Sequence, residues 1–503
     1  MSLLLLLGTG CQPGVCTPDA PEAEPPAPTL VIGTTSEPSS LDPLRLVRFG
    51  EREVLQLMRR ELLQFDSAWR RVPDAALQVP TATRTQSGLR VDWTLRERRW
   101  SDGRPLSTVD ILTAWRRERE DPEAPNHEVA RSVQLEAIDG RRFVALWSEA
   151  RSDVTAPRVH TIYPAEVNED GGPFDGPFTL AQWRPGVAME LVPNPHWPGP
   201  GPHLPRIVVR FFPGEEALAT AVATGQVDVV LEGTSLSAAR LAQLAKAKGE
   251  GLVELAPGSV MLHLDPRHDH PALGRTQVRR LLSQSLDRKT LVDLAYDGAA
   301  QMAEGLFPPS HRGYGTSAPP PSVPPEATAL EVVWTGSKQL RLQFASGSPA
   351  AEAVASYIQQ RFGELGLQVA LEALPLSVLF QRMREGTQGE LTLFAWRIRP
   401  DWDGRSILHG EGRQNWIRFQ DDALDGALDA LRGELDPEAW EAAAQRVDGR
   451  FRTLIPIIPL VFRQVASLRP RGLGPWRPTG TTTPVTWNAE HWRWNMDEGA
   501  ASP

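Results

Sequence analysis

The most regular hydrophobic pattern of the chain lies between residues 340 and 396. Apolar runs at 340–344 and 367–371 flank a segment with apolar residues at helical spacing, and a second helical segment leads to a third apolar run at 391–396. Strands that alternate with helices of this length predict right-handed crossovers and parallel pairing. Ligands of open parallel sheets lie beyond the carboxyl ends of the strands, so we expect the residues around and after 396 to face a binding crevice.

Segments nearer the amino terminus extend this α/β character. Residues 30–35 predict a short strand, and residues 51–63 carry apolar side chains at helical spacing. Apolar and polar residues alternate strictly over 89–95, which predicts a half-buried strand. Ser107 followed by Asp110 predicts the start of a helix, because these two residues form a capping box.

Length and charge define the class of protein. The chain has 503 residues, with 53 lysines and arginines against 62 aspartates and glutamates, which gives a net charge of −9. This is the profile of a large globular protein of about three domains. Nucleic acid is not expected as a partner, because phosphate binding needs a clustered surplus of basic residues. The chain contains no run of about 18 apolar residues, so no membrane-spanning helix is predicted.

Both cysteines of the chain, Cys11 and Cys16, lie before residue 20, so no disulfide is expected in the folded body. The opening MSLLLLLGTGC resembles the end of a bacterial lipoprotein signal, with residues 1–11 as the signal and Cys11 as the lipidated residue. The proline-rich segment 12–29 would then be an extended tether between a lipid and the first domain. The alternative is an apolar terminus without function, since the usual basic region is missing.

Motifs of the common enzyme classes were not found: GxSxG, GxxxxGK[ST], HExxH and CxxC are all missing from the chain. One group of aromatic and charged residues surrounds the end of the last apolar run. Tryptophan faces and guanidinium groups hold organic ligands by stacking and charged hydrogen bonds, which makes this group a candidate site. The alternative is that its tryptophans are core residues and its arginines are solvated. The group consists of Trp396, Arg397, Arg399, Asp401 and Trp402.

A second group, His263, His268 and His270 with Asp265 and Asp269, contains residue types that ligate metals. A metal site needs these side chains to converge on one point. The alternative is a solvated loop after a strand, in which each side chain has a separate environment.

Six short motifs follow one another along the body: SEPSSLDP at 36–43, WSDGRPL at 100–106, GPF at 176–178, GQVD at 225–228, LDR at 286–288 and NxxxF at 415–419. Together and in this order they resemble the extracytoplasmic solute-binding proteins of family 5, the peptide, dipeptide and nickel binders of bacterial ABC importers. The resemblance implies an α/β fold of the type II periplasmic-binding-protein kind, with two lobes joined by a two-stranded hinge. The first lobe would comprise 30–262 and 463–497, with a subdomain at about 61–174, and the second lobe 263–462.

The same resemblance implies a binding protein and not an enzyme, without a cofactor. A monomer in the periplasm or cell envelope, lipid-anchored at the membrane surface, would close its lobes over a solute and present it to the permease subunits. In the peptide binders of this family the ligand backbone adds to two segments of the protein as an extra strand. Here those segments correspond to Ser36, Glu37 and Ser39, and to Ala395, Trp396 and Arg397.

Many family members hold the amino group of a peptide with an aspartate three residues after the matching tryptophan, where this chain has Arg399. A cation there repels an ammonium group, so capture of a peptide amino terminus is not expected unless Asp401 substitutes. Arg399 favours an anionic solute instead. Two other hypotheses stay open at this point: a metal or metallophore binder that uses His263, His268 and His270, and a hydrolase on the same fold.

Overall fold

The computed structural model describes residues 29–45, 49–156, 159–167, 171–234, 236–249, 251–315 and 327–494. The predicted signal with Cys11, and all of the predicted tether before Thr29, lie outside these residues. None of the helices in the described ranges has both the length and the apolar character needed to cross a membrane.

The amino-terminal half alternates short helices with strands of two sheets. In chain order its elements are β1 (Leu30–Thr34), α1 (Phe49–Leu55), β2 (Leu63–Phe65), β3 (Arg71–Pro73), β4 (Ala82–Thr85), β5 (Gly88–Thr94), α2 (Thr108–Glu120), α3 (His127–Arg131), β6 (Val133–Ala137), β7 (Arg142–Trp147), β8 (Phe178–Arg184), β9 (Ala188–Pro193), β10 (Ile207–Phe211), α4 (Glu215–Ala223), β11 (Val229–Val230), α5 (Ala238–Lys248) and β12 (Gly251–Pro266).

The carboxyl-terminal half is richer in helices. It contains α6 (Thr276–Ser285), α7 (Arg288–Tyr296), β13 (Ala300–Met302), α8 (Ala327–Val333), β14 (Gln339–Ala345), α9 (Pro349–Glu364), β15 (Gln368–Leu374), α10 (Leu376–Glu385), β16 (Leu391–Arg397), α11 (Arg405–Leu408), α12 (Asp422–Gly433), α13 (Pro437–Leu454), β17 (Ile458–Pro470) and a 3-10 helix (Val485–His491).

Two long strands join the halves. The main sheet runs in the order β15-β14-β16-β12-β17-β11-β1-β10-β9-β8, with β13 added on β17. We call the part with β1 and β8–β11 the first lobe, the part with β13–β16 the second lobe, and the part with β2–β7 the subdomain. The antiparallel pair β12 and β17 belongs to both lobes and contains an irregularity between Ala256 and Val260. The predicted lobe boundaries, 262/263 and 462/463, fall inside these two strands and stay a prediction.

The alternating unit predicted from 340–396 is confirmed. Strand β14 pairs in parallel with both β15 and β16, so the chain crosses over twice through helices α9 and α10. The apolar face of α9 is buried through Val354, Ile358 and Phe362 against this sheet. The carboxyl ends of these strands therefore meet at one edge of the second lobe, because parallel strands run in the same direction.

The helix predicted over 51–63 is wrong in its length, because α1 ends at Leu55. Beyond this point the backbone pairs with a distant segment: the carbonyl groups of Leu57 and Met58 accept hydrogen bonds from the amides of Phe178 and Gly176. The apolar side chains stay buried, but these two carbonyl groups bond to the distant segment and do not continue the helix.

The subdomain has a core of its own around the sheet β4-β5-β7-β6. The strand predicted over 89–95 is observed as β5, and its alternate side chains Leu89, Val91 and Trp93 are buried. The predicted capping box of Ser107 and Asp110 is present at the start of α2.

Candidate functional site

The carboxyl end of β16 faces the first lobe. Arg397, the last residue of this strand, places its guanidinium carbon 4.6 Å from the ring centroid of Phe49, at the start of α1. Its Nη1 atom donates a hydrogen bond to Oγ of Ser259 in β12 at 3.1 Å. One side chain thus touches the second lobe, a joining strand and the first lobe.

Two buried carboxyl groups of the first lobe lie near Arg397. Glu53 of α1 is fully buried and accepts hydrogen bonds from the backbone amides of Glu232, at 2.9 Å, and Gly233, at 2.6 Å. Burial, and then the charge of Glu232, raise the pKa of Glu53 well above its usual value. Glu232 follows β11, and burial raises its pKa to about 7 against the opposing charge of Arg397. Its Oε1 atom is buried and has no hydrogen-bond partner among the residues that the structure describes.

Arg397 also lies in a field of other arginines. Burial lowers the pKa of Arg397 to about 10, and the charges of Arg463 in β17 and Arg52 in α1 act in the same direction. Arg52 is neutralised by an ion pair with Glu61 at 3.0 Å. Glu232 and Glu53 oppose the shift, so the local field mixes both signs of charge.

The predicted segment of the first lobe lies beside the same region. Ser36 lies close to the buried carboxyl groups of Glu53 and Glu232. Its Oγ donates a hydrogen bond to the carbonyl of Gly233 at 3.4 Å, and the amide of Gly233 binds Glu53. The carboxylate of Glu37 turns toward its own lobe and accepts hydrogen bonds from Nε1 of Trp183 at 3.0 Å and from the amide of Gly186. Ser39 is exposed.

Arg399 and Asp401 form a separate cluster that faces the subdomain. The Nε atom of Arg399 lies 3.4 Å from Oδ1 of Asp401, and the other oxygen of Asp401 lies 4.0 Å from Nη2 of Arg71. Asp401 is buried, whereas the side chain of Arg399 is 50% exposed. Arg399 also helps Arg151 to hold the pKa of Asp153 below its usual value. The charge of Arg399 is therefore shared with carboxylates of the protein itself.

The two tryptophans of the predicted site have different environments. Trp402 is 9% exposed and packs edge-on against Phe307 among the core residues of the second lobe. Trp396 is half-buried between Phe394 and Trp416, and its indole nitrogen has no hydrogen-bond partner in the described part of the chain. Ala395 is exposed.

The three histidines of the metal hypothesis do not converge. His263 is fully buried and its Nδ1 contacts Oδ1 of Asp265 at 2.7 Å, while Nε2 of His268 contacts the carbonyl oxygen of Pro456 at 2.7 Å. Nδ1 of His270 accepts hydrogen bonds from its own loop. Over the residues that the structure describes, no three ligand-type side chains form a group that could hold a metal ion. The convergence that the metal hypothesis needs is not observed for these three rings, because each has its own local partner.

The subdomain also contacts the second lobe directly, through an aromatic pair, a hydrogen bond and an ion pair. Trp69, in the turn between β2 and β3, packs edge-on against His311 with 5.3 Å between the ring centroids. Nη2 of Arg84 donates to the carbonyl of Gly433 at 2.6 Å. An ion pair of 3.2 Å joins the exposed side chains of Arg413 and Glu128.

Residues 72–411 match the model of the bacterial extracellular solute-binding proteins, family 5. The chain belongs to this family. Its members are substrate-binding transport proteins and not enzymes. The resemblance read from the six sequence motifs is thereby confirmed.

Individual relatives of this family 5 protein are distant. Protein XP55 of Streptomyces lividans is 26% identical over 462 residues, which cover 84% of this chain and 81% of the relative. The probable D,D-dipeptide-binding periplasmic protein DdpA of Escherichia coli K12 is 23% identical and covers 72% of this chain and 73% of its own length. The solved structure of the ABC transporter substrate binding protein CtaP from Listeria monocytogenes has a TM-score of 0.80 at 17% identity, over 93% of this chain and 100% of that one. The predicted two-lobe α/β fold is confirmed by this likeness.

Several residues of the site in this family 5 protein were not predicted from the sequence. Phe49, Glu53, Glu232 and Arg463 come from three distant segments, and only the fold brings them to Arg397. A signal for Glu232 does exist, because it lies two residues beyond the short apolar strand β11, and Arg397 likewise lies at the end of β16.

Proposed function

We propose that this family 5 protein is the solute-binding component of an ABC importer. It holds a peptide-like or other organic solute between its two lobes and delivers it, chemically unaltered, to permease subunits in the membrane. Family membership supports this role, and so does the likeness to a relative that is named a probable D,D-dipeptide-binding periplasmic protein.

The observation that carries the proposal is the contact between Arg397 and Phe49 across the two lobes. The lobes are joined by the strand pair β12 and β17, so a hinge motion in that pair separates Arg397 from Phe49 and opens the space between them. A solute that contacts both lobes binds the closed form better and shifts the equilibrium toward it. The permease would then recognise the closed shape.

The proposed binding surface has one face on each lobe. Ser36, Glu37 and Ser39 contribute from the first lobe, mainly through their backbone, and the edge of β16 at Ala395, Trp396 and Arg397 contributes from the second. Arg399 and Asp401 border the surface toward the subdomain. Trp402 belongs to the core cluster of the second lobe, so we do not include it in the proposed surface.

The proposed setting is the periplasm, where the protein acts as a monomer with the lobe boundaries predicted above. A lipid on Cys11 and a proline-rich tether would hold it at the membrane surface. We favour this role over metal binding because the imidazoles of His263, His268 and His270 have separate partners.

Capture of peptides from a mixture tests the proposal. The purified protein is incubated with an equimolar library of tripeptides to pentapeptides, freed of unbound material by gel filtration, denatured, and examined by mass spectrometry for released peptides. We expect a subset of the library to be released with unchanged masses. Release of no peptide, or of fragments only, would contradict the proposal.

A matched pair of variants locates the binding surface. Ala395→Trp places a large ring on the exposed edge of β16 and should abolish capture. Ala370→Trp makes the same change at an exposed position of β15 and should leave capture unchanged. Equal capture by both variants would contradict a site at β16.

A further inference from the structure

The register of three neighbouring strands places two arginines on one face of the sheet. Val260 of β12 pairs with Arg397 of β16 on one side and with Arg463 of β17 on the other. Residues directly opposite each other in antiparallel strands share a face, so both arginine side chains project over Val260 on the same side. Their backbones are about 10 Å apart, which is twice the spacing between strands. Two arginine side chains can converge across that distance.

Among the described residues, no carboxylate lies within ion-pair distance of either arginine. In the described residues neither Arg397 nor Arg463 forms an ion pair, and the hydrogen bond of Arg397 goes to the neutral hydroxyl of Ser259. Each charge disfavours the other: burial is the main cause of the lowered pKa of Arg397, and the charge of Arg463 lowers it further. An anion between the two guanidinium groups would relieve this repulsion.

The nearby acids do not supply that anion. The carboxyl group of Glu53 is held by two backbone amides, and its pKa lies well above the usual value. Glu232 has a pKa of about 7 and accepts a hydrogen bond from the amide of Val485, within its own lobe. Both carboxyl groups are therefore held by backbone amides, and neither lies within ion-pair distance of Arg397 or Arg463 in the described residues.

Arg399, from which an anionic solute was predicted, is less suited to hold one. It contacts Asp401 and lies near Asp153, so an anion at Arg399 would compete with carboxylates already present. Arg397, at the end of β16, is therefore a better candidate than Arg399 for binding an anion.

We propose that Arg397 and Arg463 form a carboxylate-binding subsite on the floor of the cleft, and that the protein selects solutes with a free carboxylate, such as the carboxyl terminus of a peptide. This inference rests on the proposed function. Because Arg397 comes from β16 and Arg463 from a joining strand, a carboxylate held by both would also tie the second lobe to the hinge.

Competition between two forms of one library tests the subsite. The same tripeptides to pentapeptides are prepared as free acids and as carboxyl-terminal amides, mixed in equal amounts, and captured by the purified protein. We expect the released peptides to contain at least about tenfold more free acid than amide, because a hydrogen-bonded charge pair is worth more than tenfold in affinity. Equal release of both forms would overturn the subsite but leave the proposed function intact. Release of neither form would contradict both.

Variants assign the preference to these residues. Arg463→Gln, at an exposed position, and Arg397→Gln should each reduce the preference for free acids about tenfold or more. Arg384→Gln, at an exposed position of α10, is the matched control and should keep the preference. Thermal denaturation verifies that each variant is folded, and Arg397→Lys, which keeps the charge, should retain part of the preference. An unchanged preference in the folded Arg463→Gln variant would overturn the assignment.

Discussion

The guanidinium group of Arg397 lies over the ring of Phe49, with 4.6 Å from the guanidinium carbon to the ring centroid. Arg397 ends the last parallel strand of the second lobe, and Phe49 begins the first helix of the first lobe. The two residues are far apart in sequence, and their contact joins the two lobes.

The first prediction concerns this contact. Phe49→Leu keeps an apolar side chain but removes the aromatic face, and a cation–π pair is worth about 0.5–2 kcal/mol. We expect the dissociation constant of a captured peptide, measured by calorimetry, to rise by about 2-fold to 30-fold, because the closed form loses that energy. Phe212→Leu removes the ring beside Arg210, within the first lobe, and serves as the control. Equal effects of the two changes would show that the contact does not act through closure.

A second prediction concerns the amino end of a peptide. Acetylation of the amino group should change the affinity of a captured peptide by less than about threefold. The family resemblance implies an aspartate at the position of Arg399, and Asp401 already lies near Arg399 and Arg71. Loss of a captured ammonium would instead cost about tenfold or more. Paired titrations of the free and the acetylated peptide distinguish these results.

The third prediction concerns the irregularity in β12. A Cβ atom added at Gly258 would lie 1.5 Å from the carbonyl oxygen of Arg463, so the two joining strands would have to separate there. We expect Gly258→Ala to destabilise the protein by about 1–3 kcal/mol or more, measured by urea unfolding.

Gly426 provides the matched control for that substitution. It lies in helix α12, is exposed, and has no atom within 4 Å of an added Cβ. Gly426→Ala should stabilise the protein by about 0.5–1 kcal/mol, because alanine favours a helix over glycine. A Gly258→Ala variant as stable as the original protein would contradict the close approach of β12 and β17.

The fourth prediction is a dependence of stability on pH in the subdomain. His160 is buried among Trp93, Phe143 and Trp147, and burial lowers its pKa to about 3. The unfolded chain takes up this proton near pH 6.5, so stability is lost as the pH falls from about 6.5 toward 3, by about 1.4 kcal/mol for each pH unit.

Replacement of His160 by leucine removes this proton uptake. Between pH 7 and pH 5, His160→Leu should lose about 2 kcal/mol less of its unfolding free energy than the original protein. Urea unfolding at the two pH values measures the difference. Equal losses of unfolding free energy in the two proteins would mean that His160 is not kept neutral in the folded state.

Local patterns were sufficient for much of the second lobe. Regular spacing predicted the strands and helices from β14 to β16, because each of these elements buries one apolar face against the next. The same reasoning was wrong for residues 56–63. There the backbone of Leu57 and Met58 pairs with residues more than a hundred positions away, which no local spacing records.

The candidate site was predictable only in part. The tip of β16 and Arg397 follow from the position of strand ends in parallel sheets. Phe49, Glu232 and Arg463 come from other segments and lie near Arg397 in the fold. Their proximity depends on the order of strands in the sheet, which local sequence patterns do not reveal. Sequence composition likewise does not separate Trp402, which fills the core, from Trp396, which lies at its edge.

Small-angle X-ray scattering of the protein, without and with a captured peptide at saturating concentration, measures closure of the lobes. We expect a smaller radius of gyration with the peptide, and a scattering curve of the complex that fits the arrangement in which Arg397 contacts Phe49. A peptide that binds at one molecule per protein without any change in the radius of gyration would contradict closure of two hinged lobes over the solute.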